Sequence, residues 1–410
     1  MLDVQSPVVV IAPDSFKGSL SARDAAAALE RGARKLLPDT ATVLMFPMAD
    51  GGEGSLDVVL AAWAQPTLSM STVDALGRAR DANYGFDLEG RRAVIEAAQA
   101  NGLPHVSDTP LQPLRADSYG VGLIAATLIE RGAREITLFV GGSASTDGGT
   151  GLLRALGVRF LDSTGIELAP GGAALTSLVA IDLSGLIAGA VETKWRVAVD
   201  VANALTGADG AAHVFGPQKG ASASDIATLD AGLTQLAEVL AQTEGASERG
   251  FSAATITGLP GMGAAGGIAA GLVALFGAEL VPGAQLVADA IGLSDAIEGA
   301  DVILTGEGQL DRQSLDGKVV DYLRGAKGTQ SWLAVIAAII LLNEKESSAA
   351  GIDLALPLAS EIEDREELFE YAAELLEARG AHAIAKWLEL NDSDGGVEDP
   401  RPTSPDSVQS

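Results

Sequence analysis

The sequence predicts an α/β fold in which helices pack on parallel strands, and three observations lead there. Hydrophobic residues make up 47% of the chain but aromatic residues only 4%, so the core is built mainly from Ala, Val, Leu and Ile, which suits helices laid on buried parallel strands. Short apolar runs alternate with Ala-rich segments of helical periodicity along most of the chain. Most of these runs meet a glycine before the next helical segment, which is the βα pattern of a parallel sheet. At 410 residues the chain exceeds what one compact core usually accommodates, so two domains are expected.

The first strand is expected at Val8 to Ala12, an apolar run closed by Pro13. Ala22 to Leu37 repeats its apolar residues at helical spacing and stops at Pro38, with Ser19 or Ser21 available as the cap. Further strands are predicted at Thr42 to Phe46, Ala93 to Glu96, Glu135 to Val140, Lys194 to Val199, Val302 to Thr305 and Leu333 to Ile340. The most apolar stretch, Trp332 to Leu342, is far short of the roughly 20 residues a membrane span needs and reads as a buried strand. Residues 361–390 carry an acidic helical pattern, and residues 391–410, with almost no apolar content, are expected to form a disordered acidic tail.

Composition excludes several chemistries. The chain has no cysteine, hence no disulfide, thiolate metal site or cysteine nucleophile, and its three histidines argue against a His-rich zinc site. A formal net charge of -28 argues against sequence-independent binding of nucleic acid or anionic lipid. An anionic substrate would have to be met by a few placed cations, helix N-termini or a metal ion. Met1 to Pro7 carries Asp3 and no basic stretch, so no targeting segment is expected and the cytoplasm is the expected location.

In open α/β sheets the ligand lies outside the carboxyl ends of the strands. The loops at those positions read APDSFKG, MADGGEG, GGSASTDGG, VANALTG and TGEGQLD, each with an acid, amide or hydroxyl among small residues. APDSFKG offers Asp14, Ser15 and Lys17, as a catalytic loop or as an ordinary strand-to-helix turn. In GGSASTDGG, glycines let a ligand approach the backbone while Ser143 and Ser145 offer hydroxyls, so an anion could be cradled there. The alternative is a glycine turn capped by Asp147. MADGGEG sets Asp50 and Glu53 three residues apart, which suits a hard cation such as Mg²⁺ or the orientation of a hydroxyl, but equally a capping box. TGEGQLD supplies Glu307 and Asp311, with Lys318 seven residues beyond; acids could hold Mg²⁺ and the lysine a phosphate, or all could belong to a solvated loop.

Other motifs are weaker. Gly317-Lys318-Val319 fails the phosphate-loop pattern at both ends. GLPGMGAAGG matches a dinucleotide fingerprint formally at Gly261, Gly263 and Gly266, but no good strand precedes it. HVFGPQKGAS presents Lys219 as an exposed cation on a rigid turn, and His213 reads as a structural histidine.

Taken together, APDSFKGSLSA, MADGGEG, GGSASTDGG, FGPQKGA, PGMGAAGG and TGEGQLD, in this order and at these separations between about Val8 and Val320, resemble the type I glycerate kinase family. The resemblance implies two α/β domains. One is a flavodoxin-like (Rossmann-like) parallel-sheet domain built from both chain ends, residues 1–64 and 286–390; the other is an inserted restriction-enzyme-like α/β domain, residues 65–285. It implies transfer of the γ-phosphoryl of ATP to D-glycerate, generally giving 2-phosphoglycerate, in the cleft between the domains. ATP and Mg²⁺ would be the cofactors and D-glycerate the partner, with no nucleic acid or membrane, and a homodimer is left open.

On that resemblance Lys17 and Lys219 would neutralise phosphate or carboxylate, Glu307, Asp311 and Glu53 would hold Mg²⁺, and Ser143 with nearby N–H groups would cradle an anion. Asp200, Asp14 and Asp50 are the candidates for the base, with Asp200 placed first. Two departures stand out. Where the family shows D-x-D-N-P-L-x-G, this chain reads Asp200 to Gly207 as DVANALTG, keeping Asp200 and Asn203 but losing the second acid and the proline; and Ala337-Ala338 replaces an A-G-S segment. These changes motivate an alternative, a catalytically impaired nucleotide- or glycerate-binding homologue with a regulatory role. A nicotinamide-dependent oxidoreductase built on GMGAAGG is a second.

Overall fold

The computed structural model describes residues 6–16, 18–358 and 370–394; Lys17, the acidic stretch 359–369 and the tail beyond 394 lie outside the described residues. Thirteen strands occur among those described: β1 (Val8–Ile11), β2 (Thr42–Met45), β3 (Leu68–Val73), β4 (Ala79–Asp87), β5 (Arg92–Glu96), β6 (Glu135–Phe139), β7 (Arg159–Leu161), β8 (Ala180–Asp182), β9 (Lys194–Ala198), β10 (Glu279–Val281), β11 (Val302–Leu310), β12 (Trp332–Ile340) and β13 (Leu354–Pro357). The chain divides into two compact units. Met1–Met45, Glu298–Leu310 and Lys327–Ser410 make the first, and Phe46–Ile297 with Asp311–Ala326 the second.

The first unit holds a five-stranded, wholly parallel sheet in the order β13-β12-β11-β1-β2. Its central strands β1, β11 and β12 are apolar runs because both faces are covered, and Leu333 to Ala337 are buried in succession. The helix Ala22–Arg34 starts where the Ser21 side chain accepts the Asp24 N–H at 3.1 Å and ends with Arg31 and Arg34 in its negative last turn. It packs Ala25, Ala28 and Leu29 into one core with Leu376 and Ile384 of the helix Ala372–Asp394. Counted along the chain, the strand order is 2-1-3-4-5, so the winding direction reverses between β1 and β11. Pro13 to Ser15 and the end of β11 flank that switch point, the place where doubly wound sheets receive ligands.

β11 departs from the sequence expectation. It runs on to Leu310, paired with β12 as far as Ile340, so the segment TGEGQL is strand and not a loop after one. The long apolar neighbour supplies a hydrogen-bonding partner past the glycines.

The second unit holds a six-stranded sheet in the order β10-β9-β6-β5-β4-β3, parallel from β10 to β5 and antiparallel from β5 to β3. Its core joins Ile95, Ile136, Leu138 and Trp195 to Leu128 and Leu236 from the helices Tyr119–Glu130 and Ala223–Gln242. The antiparallel pair β3–β4 has no counterpart among the predicted strands. LSMSTV alternates partly buried and exposed positions, the signature of an edge strand with one solvated face, and lacks the continuous apolar run that marks its parallel neighbours. β7, β8, β10 and β13, of three or four residues each, were equally unannounced. No helix among the described residues is long and apolar enough to cross a membrane.

Candidate active site

β9 delivers the chain to Val199, whose N–H bonds the Val281 carbonyl at 2.9 Å. The next residue, Asp200, accepts the Gly283 N–H on Oδ1 at 2.7 Å. Its other carboxylate oxygen lies against the backbone of two segments distant in sequence. A Cβ on Gly51, where φ is +91°, would stand 3.0 Å from Asp200 Oδ2 and 2.8 Å from the Gly283 Cα, and a Cβ on Gly283 would stand 2.8 Å from the same oxygen. Glycine at both positions is what gives the carboxylate room.

Burial pushes the Asp200 carboxyl up to about 7; the Gly283 N–H opposes this, the Asp50 carboxylate adds to it, and Lys318 opposes it. A carboxyl poised there can take a proton at neutral pH. Asp50 itself closes a turn by accepting the Gly52 N–H at 3.1 Å. The capping box anticipated for Asp50 and Glu53 does not form: the helix Ser55–Ala62 begins after Gly54, and its Leu56 N–H donates to Glu96 Oε1 from β5 at 2.7 Å. Glu53 is exposed.

After β6 the loop Gly141 to Gly149 runs into the helix Thr150–Ala155. Here the expectation of an exposed Lys219 is corrected. The short turn Pro217–Lys219 is followed by Gly220 at φ +87°, and it folds the lysine inward until only 2% of the residue is exposed. Its ammonium donates to the Ser145 carbonyl and, at 3.3 Å, to Ser143 Oγ. Burial brings the Lys219 pKa down to about 8, against the influence of Asp147. Ser145 Oγ accepts the Asn101 side-chain amide at 2.8 Å, and the Asn101 carbonyl accepts the Ala144 N–H at 2.7 Å. Asn101 was not anticipated; it ends the segment EAAQAN, where Glu96 and Gln99 are polar as well and nothing local singles it out.

Asp147 is fully buried, and its carboxylate accepts from Ser118 Oγ at 2.8 Å, Ser118 N–H at 3.0 Å and Gly151 N–H at 2.9 Å. It therefore ties the loop to the first turn of the following helix. Asp200, Lys219 and Ser143 meet at one cavity of about 380 Å³, to which Gly141, Gly142 and Gln218 also contribute. The GMGAAGG segment lines it through Ala264 and Ala265. A helix, Ala253–Gly258, and not a strand precedes that segment, so the context a dinucleotide fingerprint needs is missing.

The remaining candidates do not line this cavity, although Lys318 is near enough for its charge to act on Asp200. Asn203 donates its side-chain amide to the Asp209 carbonyl at 2.8 Å. Asp311 accepts the Gln313 and Ser314 N–H groups at 2.8 and 3.3 Å, and Lys318 directly precedes the helix Val319–Ala326. In the first unit, Asp14 accepts the Ser15 N–H at 2.6 Å and donates its own N–H to Gly306 at 2.9 Å, beside Glu307 on β11. His213 lies 3.5 Å from Asp230. Among the described residues there is no group of three or more His, Asp or Glu that could hold a metal ion, and Glu307 belongs to a different compact unit from Glu53 and Asp311.

The family model described as the glycerate kinase family matches residues 9–389. The chain is 37% identical over 389 residues to a protein named glycerate 2-kinase from Escherichia coli, covering 95% of this chain and 100% of that one. It is also 37% identical over 382 residues to one named glycerate kinase from Halalkalibacterium halodurans, covering 92% and 98%. A crystal structure of a chain assigned as glycerate kinase 2 from Salmonella typhimurium superposes with a TM-score of 0.82 at 36% identity, covering 95% of this chain and 100% of that chain.

Proposed function

The chain belongs to the glycerate kinase family and is a kinase, and from that premise we propose that it transfers the γ-phosphoryl group of ATP to the 2-hydroxyl of D-glycerate. The observation that carries the reading is the meeting of Asp200, with its carboxyl raised to about 7, and the buried Lys219 at one cavity. Phosphoryl transfer asks a protein for position and charge neutralisation, and this pair offers both. As the hydroxyl oxygen forms its bond to the γ-phosphorus and the bond to the bridging oxygen of ADP breaks, the hydroxyl proton passes to Asp200. Lys219 carries three N–H bonds, of which the Ser145 carbonyl and Ser143 hydroxyl take two. The third is available to an oxygen of the glycerate carboxylate or of the phosphoryl group.

The ATP dependence, the 2-phosphate product and these residue roles are tested together. A coupled assay should show steady ADP release with D-glycerate, and ³¹P NMR should place the phosphate on the 2-position; absence of ADP release would remove the reading. Asp200→Asn should lower kcat by about 10²–10⁴-fold, the usual cost of losing a positioned acid–base group. A variant within about twofold of the parent would take the base role from Asp200.

A further inference from the structure

We propose that the second unit carries another small-anion site, a cavity in which Arg115 and Arg154 receive a carboxylate or phosphate group. The cavity measures about 340 Å³ and is lined by Arg115, Asp117, Tyr119 and Arg154, with Gly77 and Pro170 among the remaining walls. That volume falls within the range of small-molecule pockets, roughly 300–1,000 Å³. It shares no lining residue with the cavity that holds Asp200 and Lys219.

Charge makes this place unusual. The chain has 55 acidic residues against 27 basic ones, yet here two guanidinium groups face one lining carboxylate. Arg115 is exposed and forms no ion pair among the described residues; its one polar side-chain contact is Gln112 at 3.5 Å. Arg154 is held in place. Its Nε donates to Glu167 at 3.1 Å, its guanidinium lies 5.9 Å from the centre of the Tyr119 ring, and its Nη1 makes an ion pair with Asp117 at 3.8 Å, too long for a hydrogen bond. A guanidinium fixed through Nε keeps its paired Nη donors for a ligand, and the planar fork matches the oxygens of a carboxylate or phosphate.

Asp117 Oδ1 accepts the Tyr119 N–H at 3.1 Å, and the adjacent Ser118 binds the buried Asp147, whose charge acts on both Asp117 and Lys219. A small carboxylate or phosphate is the ligand class that two guanidinium groups fit.

The test is equilibrium binding to the full chain and does not depend on catalytic activity. Inorganic phosphate is titrated calorimetrically into the parent, Arg115→Gln, Arg154→Gln and Lys219→Met proteins. The expected result is a phosphate-binding event whose affinity is weakened at least fivefold by either arginine substitution and which is retained in Lys219→Met, where the other cavity has lost its cation. Arg115 is exposed, so its substitution keeps the test sound even if Arg154→Gln disturbs folding. Acetate as competitor separates the sources: displacement marks a carboxylate ligand and resistance a phosphate ligand, and both support the site. Phosphate binding untouched by Arg115→Gln, or abolished by Lys219→Met, would overturn the proposal.

Discussion

A carboxyl whose pKa rises from 3.8 to about 7 on folding, as at Asp200, keeps a proton that the unfolded chain has released anywhere between those values. The folded state then binds more protons than the unfolded one, so the stability contributed at this position falls as pH rises from about 4 to about 7. Asp200→Asn, which keeps the acceptor for Gly283, should therefore raise Tm at pH 8 while it lowers kcat; a fall in both would make Asp200 scaffold. Lys219, with its pKa lowered to about 8, is charged only below that value. The profile of kcat/KM should thus rise through about pH 7 as Asp200 ionises and decline through about pH 8 as Lys219 loses its proton, and Asp200→Asn should erase the acid limb. Gly51→Ala would force a side chain into φ +91° and within 3.0 Å of Asp200 Oδ2. It should cost about 1–3 kcal/mol in urea denaturation and shift the acid limb of whatever activity remains. At this scale the sequence disclosed residue types well: Asp200, Ser143 and Lys219 were all candidates before any geometry. Asn101 was not, because its value lies in one bond to Ser145, 44 positions away.

Elements are held at their ends by groups that local reading places unevenly. Ser21 caps its helix from three residues away, a pattern visible in sequence. Glu96 receives the start of the helix Ser55–Ala62 from 40 positions away, and no local pattern announces it. Glu96→Ala should leave the Leu56 N–H buried without its partner and lower the unfolding free energy by about 1–3 kcal/mol at unchanged m, measured in urea. A loss within experimental scatter would mean that water or another group replaces the carboxylate. The central parallel strands were legible for the same reason that Ser21 was, since burial on both faces writes a continuous apolar run, whereas the short parallel edge strands β10 and β13 were not. β3 was not, since a half-solvated edge strand disperses its apolar residues among Ser and Thr, and neither was β4, whose first half, ARDAN, is polar.

For the whole molecule the dominant fact is the net charge of -28, set against substrates that are themselves anionic in the proposed reaction. Long-range repulsion should slow and weaken their approach at low ionic strength, and salt should relieve it as the Debye length falls from about 30 Å at 0.01 M to about 10 Å at 0.1 M. We expect kcat/KM to rise by roughly two- to tenfold over that interval. A steep fall would show that the local field of the few cations governs encounter.

Taken by itself, the sequence determined the α/β class, the seven main apolar strands, the glycine-rich loops and the family whose motifs they carry. Each of these is written in neighbouring residues, through periodicity, turn chemistry and ordered spacing. Tertiary structure alone decided that Lys219 is buried, that Asp200 is poised near neutrality, and that Gly51 and Gly283 make room for its carboxylate. Desolvation and close approach depend on which distant segments share a space, and the loop APDSFKG, MADGGEG or FGPQKGA does not carry that information within itself.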